Sequence, residues 1–399
     1  MSRDARSGPP PRADQPLRLI VTGGGTGGHT YPALTVVRTL QARLAAEGQE
    51  LTVIWVGTHG GLEARVAVEQ RIPFAAVATG KIRRSANPLK LVSPSNIKDM
   101  GRVPLGVAQA RRIIAGFGPD VVLATGGYVA IPVGLAAKMC GRPLVVHEQT
   151  VRLGLANRIL ARAATTMAVS APSTLDLIPE SVTARGAVVV TGNPVRPELL
   201  TGQPSRALEA LGLHAFDLSL PTVYVTGGAQ GSQQINTLVQ AVLPWLLAHA
   251  NVIHQAGTAT LDEARRRAAT LPPELAARYH VTAFVGAELP DVLALADVLI
   301  SRSGAGTIAE VTALGKAAVF IPLANSAGGE QAHNARHLAA AGAAVALLDE
   351  ATPDALREAV APLLADPALR AQIADRARTQ GRPDAAERLA DVVLSAAGR

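Results

Sequence analysis

Two glycine-rich turns constrain this chain more than any other feature. The largely apolar run Leu17-Arg-Leu-Ile-Val21 ends in Thr22-Gly-Gly-Gly-Thr-Gly-Gly-His29 and enters a helix-like stretch. In the other half, Val223-Tyr-Val225 ends in Thr226-Gly-Gly-Ala-Gln-Gly-Ser232 and does the same. A strand that ends in glycines and opens a helix brings bare backbone N–H groups, and the positive end of the helix dipole, up to an anion. One such unit per half predicts an α/β protein of two Rossmann-like parallel-sheet domains facing each other across a cleft. A histidine closing the first turn suggests that the cleft does chemistry.

The 399 residues suffice for two domains of ordinary size, and an apolar content of 48% allows two cores. Aromatics make up only 3%, so those cores must be built from Ala, Val and Leu. Candidate strands at 17–22, 51–56, 120–125, 143–147, 166–169 and 187–190 alternate with helix-like stretches such as 32–47 and 106–116. The second half repeats this, with strands at 222–226, 251–254, 280–284, 297–301, 317–321 and 344–347 and helices at 352–365 and 367–379. Such alternation implies parallel sheets covered on both faces. The expected divisions are a disordered extension over 1–16, an N-terminal domain over 17–195 and a C-terminal domain over 196–382. The amphipathic stretch 383–399 would pack on either domain. The prolines of 194–204 place an interdomain linker at about 194–218.

Several chemistries are disfavoured. Gly23–Gly28 satisfies G-x-G-x-x-G arithmetically, yet no acid ends the second strand to hold a ribose, and a Walker lysine is missing, so NAD and ATP do not fit. No Asp-x-Asp pair offers itself to Mg²⁺ or Mn²⁺, and no zinc spacing occurs, so neither a metal nor a cofactor is expected. The single cysteine, Cys140, excludes an internal disulfide and reads as a small apolar residue. The first sixteen residues lack the apolar core of a signal peptide, and the uncharged run between Asp120 and Lys138 is 17 residues, short for a membrane span, and contains glycines and a proline.

The net charge is +7, and residues 81–112 hold eight Lys or Arg against one acid. Aliphatics interleave with them (Ile82, Leu89, Leu91, Val92, Ile97, Val103, Leu105), a pattern that suits an anionic membrane surface. A merely solvated basic face is the simple alternative. Nucleic acid fits worse, since the segment has no stacking aromatics.

Candidate chemistry collects at the carboxyl ends of the strands, where open α/β sheets bind ligands. His29 begins a helix whose dipole disfavours the imidazolium, so a neutral ring would serve as a base; a capping or packing histidine is the alternative. Thr125-Gly-Gly-Tyr128 and His147-Glu-Gln149 end two more strands of the first half. Glu148 there would steer an acceptor hydroxyl, orient His29 or simply pair with an arginine. In the second half, Ser303-Gly-Ala-Gly-Thr307 opens a helix able to take a diphosphate, with Glu310 a turn inward, within reach of ribose hydroxyls. Ser303 would equally be an ordinary N-cap. Gln331, near another helix start, would bond sugar hydroxyls.

Taken together these segments resemble one family. Gly24-Gly-Thr-Gly-Gly-His29, Gly126-Gly-Tyr128, His147-Glu-Gln149, Gly192-Asn-Pro-Val-Arg196, Gly227-Gly-Ala-Gln-Gly231, Arg302-Ser-Gly-Ala305 with Thr307 and Glu310, and Gln331 with Asn334-Ala335 occur in the order and spacing of the MurG family of peptidoglycan N-acetylglucosaminyltransferases. The resemblance covers roughly 17–397. It implies the GT-B fold and an inverting transfer of N-acetylglucosamine (GlcNAc) from UDP-GlcNAc to the C4 hydroxyl of the muramoyl sugar of undecaprenyl-linked lipid I. The product would be lipid II, made peripherally at the cytoplasmic face of the cell membrane. On that likeness His29, Glu148 and Tyr128 are catalytic. Thr26, Gly27, Gly28, Thr150, Arg196, Ala229, Gln230, Val285, Ser303, Gly304, Ala305, Gly306, Thr307, Glu310 and Gln331 bind substrate. Three positions depart from the family's usual residues: Thr150 stands where asparagine is usual, Ala229 where serine is usual, and Glu330-Gln331 where Gln-Gln is frequent. Rival readings are a glycosyltransferase with a diacylglycerol acceptor, a non-catalytic sugar-nucleotide-binding protein and a UDP-GlcNAc 2-epimerase.

Overall fold

A computed structural model describes residues 15–80, 101–324, 326, 329–348 and 351–399. The expected extension, but for its last two residues, and the basic stretch as far as residue 100 lie outside the described residues. The chain divides into two compact units. The described residues up to Pro194 form the first together with Asp384–Arg399, and Val195–Pro383 form the second.

In the first unit the strands are β1 (Leu17–Thr22), β2 (Leu51–Gly57), β3 (Phe74–Ala76), β4 (Val121–Ala124), β5 (Leu144–Glu148), β6 (Thr166–Val169) and β7 (Val188–Val190). They pair in parallel in the order β3-β2-β1-β4-β5-β6-β7. Successive side chains of a strand point to opposite faces. Accordingly Leu19, Val21, Val121 and Leu123 enter the core on one face, while Ile20, Val122 and Ala124 enter the core on the other. A sheet buried on both sides is why these strands read as continuous apolar runs. Sequence reading missed β3, whose three residues at the sheet edge are too few to carry a periodic signal.

The second unit holds β8 (Thr222–Thr226), β9 (Asn251–Gln255), β10 (Tyr279–Thr282), β11 (Val298–Ser301), β12 (Ala317–Phe320) and β13 (Val345–Ala346), in the order β10-β9-β8-β11-β12-β13, again all parallel. Val223, Val225, Val298 and Ile300 pack to one side, Tyr224 and Leu299 to the other.

Both sheets reverse their strand order once, between β1 and β4 and between β8 and β11. At such a point the helices that follow the two strands leave to opposite faces, and the loops part to form a crevice at the carboxyl edge. Both glycine turns stand there.

Two expectations need correction. The segment read as a linker is folded: Val195, Leu199, Ala207, Leu213 and Phe216 are buried in the second unit's core. Its prolines open short helices at Pro197–Thr201 and Pro204–Ala210, the helix position where a missing N–H is harmless. Similarly, the first helix spans Gly27–Ala46 and begins five residues before the expected 32. Pro32 lies inside it and merely leaves the Gly28 carbonyl without its helical donor. The C-terminal helix Ala385–Ala396 buries Leu389, Ala390 and Val393 in the first unit's core, and Arg43 of the first helix pairs with Asp391.

Candidate functional site

In the first unit the β1 turn is held from beneath by a residue that sequence reading overlooked. Glu63 is fully buried, and its carboxylate accepts from the backbone N–H of Gly25 (3.1 Å) and of Thr58 (2.8 Å). A methyl group at Gly24 would come within 2.2 Å of that carboxyl carbon, so the turn needs glycine to close over it. The N–H of Gly25 is thereby taken, and that of His29 bonds the Thr26 carbonyl (3.2 Å). Among the described residues the N–H groups of Gly27 and Gly28, in the helix's first turn, have no protein partner. The N-cap Thr26 is exposed and makes no side-chain cap. An anion at this turn therefore meets residues 26–28.

His29 is the third residue of that helix and is half-buried. Its ring lies against Gly126, where an added methyl group would sit 2.9 Å from Cε1 and where φ is +108°, so only glycine serves there. The two loops also touch: Gly24 N–H bonds the Gly126 carbonyl at 3.4 Å. Tyr128, half-buried, follows in the same β4 loop.

His29 Nδ1 lies 3.1 Å from Gln149 Oε1. Gln149 Nε2 in turn donates toward the carbonyls of Thr125 (2.7 Å) and His147 (3.0 Å) and toward His147 Nδ1 (3.1 Å). His147 Nε2 faces the Gly192 carbonyl at 2.9 Å. The ring of His147 is wholly buried, and burial foremost pushes its pKa down to about 4, with the charge of His29 adding to the depression and the Gly192 carbonyl opposing it.

Glu148 points into its own loop. Oε1 accepts from the N–H (3.1 Å) and hydroxyl (2.9 Å) of Thr150; Oε2 accepts from the N–H of Gly154 (2.8 Å) and from Asn157 Nδ2 (2.9 Å). Four donors converge on a carboxylate that is only 2% exposed. The single hydrogen of the Thr150 hydroxyl is shared between Glu148 Oε1 and the Arg152 carbonyl (2.5 Å). Asn157, another residue the sequence did not flag, keeps a buried Oδ1 that has no partner among the described residues.

The second unit is built similarly. The β8 turn carries Gly228 and Gly231 at φ +85° and +76° and ends in Ser232, which caps the helix Gln233–His249 by accepting from Ile235 N–H. Ala229 and Gln230 at its tip are exposed. Gln255, at the end of β9, ties the turn down. Its Nε2 donates to Thr226 Oγ1 (3.1 Å) and the Gly228 carbonyl (2.9 Å), and its Oε1 accepts from Val285 N–H (2.8 Å). Val285 itself is buried in the second unit's core. Arg302 stitches three loops together: it donates to Ser232 Oγ (2.7 Å), Gln234 Oε1 (2.8 Å) and the carbonyls of Ile321 and Pro322 (both 3.0 Å).

Ser303 is not the N-cap. Gly304 occupies that place in the helix Ala305–Leu314, without any side-chain cap, and the buried Ser303 hydroxyl donates to the Gln331 carbonyl (2.8 Å). Methyl groups at Gly304 or Gly306 would meet nothing within 4 Å, so neither glycine of this helix start is crowded by its surroundings. Thr307 stands in its first turn, half-buried, as does the backbone of Ala305 beside it. Glu310 pairs with Arg196 at 3.3 Å. Its side chain keeps 26% exposure, yet desolvation raises its carboxyl above the usual range and outweighs the guanidinium that pulls it down. Gln331 sits in the first turn of the helix Glu330–Ala340 with Oε1 accepting from Leu323 N–H (2.9 Å). The structure therefore gathers Thr26, Gly27, Gly28, His29, Tyr128, Glu148 and Thr150 at the carboxyl edge of the first sheet. The remaining predicted site residues gather at the edge of the second.

One buried histidine in each unit makes stability pH-dependent. His254 accepts from the Tyr279 hydroxyl (2.9 Å) and donates to Asn236 Oδ1 (3.0 Å), and burial pushes its pKa to about 4, as for His147. Both rings are neutral in the fold but gain a proton near pH 6.5 when unfolded, so the folded state is disfavoured as pH falls from 6.5 through 4 and is unaffected above 6.5. Each contributes a loss of up to about 3 kcal/mol. The chain's two tryptophans, Trp55 and Trp245, fall one in each unit. Urea unfolding of the Trp55→Phe and Trp245→Phe variants should show both fluorescence midpoints dropping between pH 7 and pH 4.5; a flat midpoint in either unit would refute the assignment for its histidine.

Comparison with known proteins bears on these residues. The model of the glycosyltransferase family 28 N-terminal domain matches residues 19–169, and that of the family 28 C-terminal domain matches 222–389. A relative from Desulforudis audaxviator is 36% identical, over 96% of this chain and 99% of its own. One from Acidothermus cellulolyticus is 37% identical, over 96% of this chain and 98% of its own. Both are named UDP-N-acetylglucosamine–N-acetylmuramyl-(pentapeptide) pyrophosphoryl-undecaprenol N-acetylglucosamine transferase. Among solved structures, the MurG of Acinetobacter baumannii superposes with a TM-score of 0.73 at 28% identity, covering 95% of this chain and all of that one.

Proposed function

This chain belongs to glycosyltransferase family 28, and from that premise we propose that it transfers GlcNAc from UDP-GlcNAc to undecaprenyl-diphospho-MurNAc-pentapeptide (lipid I), giving lipid II and UDP in peptidoglycan synthesis. The observation that carries the reading is His29, set in the first turn of a helix with free N–H groups at 27 and 28, where the first sheet reverses its strand order. A base beside an anion cradle suits an acceptor that carries a hydroxyl and a diphosphate.

The acceptor's diphosphate rests on residues 26–28, with Tyr128 beside it. His29 takes the proton of the muramoyl C4 hydroxyl as that oxygen attacks the anomeric carbon of GlcNAc. Attack from the face opposite UDP inverts the anomeric centre. Glu148, its oxygens already saturated by four donors, shapes the 148–154 loop and leaves the proton to His29. In the second unit the positive end of the helix that starts at 304–307 and Arg196 offset the charge that gathers on the departing UDP. Glu310 accepts from the ribose hydroxyls, the carbonyl of Val285 and the tip of the β8 turn at Ala229 and Gln230 border the nucleotide, and Gln331 bonds the sugar. Ala229 contributes backbone only, since it has no hydroxyl.

Product analysis decides between acceptors. Incubated with radiolabelled UDP-GlcNAc and a soluble lipid I analogue, the protein should yield labelled disaccharide-lipid, and with diacylglycerol nothing. Transfer to diacylglycerol alone, binding without transfer, or epimerised donor would each replace the proposal.

Among the described residues no helix is long and apolar enough to cross a membrane. We place the protein peripherally on the cytoplasmic face, drawn there by the basic, aliphatic stretch that begins at Lys81. Reversing charge at Arg83, Arg84 and Lys90 should release it from phosphatidylglycerol vesicles, whereas co-sedimentation unchanged by the substitutions or by salt would reject that surface.

A further inference from the structure

The chain of contacts behind His29 has a fixed direction. His147 Nε2 lies 2.9 Å from a carbonyl oxygen, that of Gly192, so that nitrogen carries the proton and Nδ1 is bare. Burial keeps the ring neutral, which preserves this tautomer. Gln149 must then present its NH₂ to His147 Nδ1 and to the carbonyls of Thr125 and His147. The reverse amide orientation would set Oε1 at 2.7 and 3.0 Å from two carbonyl oxygens, which is repulsive. With the amide so fixed, its oxygen faces His29 Nδ1 at 3.1 Å and accepts only if Nδ1 holds the hydrogen. Gln149 itself is 4% exposed, so water does not readily replace these partners.

We propose that Gln149 is a positioning residue that locks His29 in the Nδ1–H tautomer, leaving Nε2 as the ring's one proton-accepting atom. The order runs from the Gly192 carbonyl through His147 and Gln149 to His29, each group setting the hydrogen of the next. Proton removal from the acceptor then follows one route: the hydroxyl hydrogen passes to His29 Nε2 as its oxygen bonds to the anomeric carbon and the bond to UDP breaks, and the ring becomes an imidazolium with Nδ1–H still on Gln149. The inference rests on His29 being the base, but the lock is measurable without turnover.

Long-range ¹H–¹⁵N spectra of the full chain, selectively labelled at histidine and assigned by the signals lost in His29→Gln, read the tautomer at a pH where the ring is neutral. In the unsubstituted protein His29 should show a protonated Nδ1 and a bare Nε2. The opposite tautomer, or an even mixture, overturns the proposal without need of any variant. In Gln149→Leu the ring should redistribute toward Nε2–H. Since only the fraction with a bare Nε2 reacts, kcat should fall roughly tenfold. The KM for UDP-GlcNAc should hold, and the fall in kcat should track the fraction of His29 with a bare Nε2 read in the same spectra, which a general loosening of the first unit would not produce. Gln149→Asn, which keeps the amide, should recover part of the tautomer signal. If His29→Gln retains full turnover while the lock is seen and released as described, the base assignment fails and the lock stands. If His29→Gln abolishes turnover but Gln149→Leu leaves the His29 tautomer unchanged, the lock fails and the base stands.

Discussion

His29→Ala should lower kcat by about 10²–10⁴ while UDP-GlcNAc still binds. The size follows from the single step removed. A positioned base contributes about that factor, and the anion cradle beside it stays intact because its N–H groups are those of the backbone at 27 and 28. Arg196, Glu310 and the helix start at 304–307, the groups proposed to hold the donor, belong to the second unit, so donor affinity should move little. Stability should also change little, since the ring is half-buried and its removal leaves Gln149 Oε1 open to water. Steady-state kinetics with a lipid I analogue, beside calorimetric titration with UDP-GlcNAc, make the comparison. Turnover near that of the unsubstituted protein would remove His29 from the mechanism.

The second large effect is expected at Glu310. Desolvation has raised its carboxyl, which marks a charge held at some expense and eased by Arg196 at 3.3 Å. Ribose hydroxyls would complete its partners. A hydrogen bond to a charged group contributes about 1.5–3 kcal/mol, so losing a pair of them in Glu310→Ala should weaken UDP-GlcNAc at least about 100-fold. Glu310→Gln keeps an acceptor oxygen but not the charge, and should weaken it about tenfold. With saturating donor, kcat of either variant should recover far more than in His29→Ala, because the lost contact holds ground state and transition state alike. Unchanged donor affinity in Glu310→Ala would place the ribose elsewhere.

The chain's own order of residues made the fold class plain. Apolar strands that alternate with helical stretches admit few arrangements other than covered parallel sheets, and glycine turns at strand ends point to the carboxyl edge. Twelve of the thirteen strands among the described residues were legible for this reason; β3, three residues long, was not. His29, the β8 turn and the helix start at 303–307 were legible too, because local backbone chemistry dictates where glycine, serine and histidine can stand.

What stayed hidden depends on contacts far apart in sequence. Glu63 reads as one more helical carboxylate, yet it supports a turn 38 residues earlier. Glu148 and Gln149 are adjacent and similar in kind; only packing turns one inward on four donors and directs the other to a histidine 120 residues away. Ser303 looks like a cap until Gly304 takes that place and the hydroxyl bonds the Gln331 carbonyl. The prolines after Pro194 read as a linker because proline punctuates loops, but buried Leu199 and Phe216 bind that segment into a core. Periodicity and turn chemistry act over a few residues, so the sequence alone determined the two sheets and where their loops emerge. Hydrogen-bond direction, burial and the choice of which carboxylate remains available act through space, and only the tertiary structure decided them.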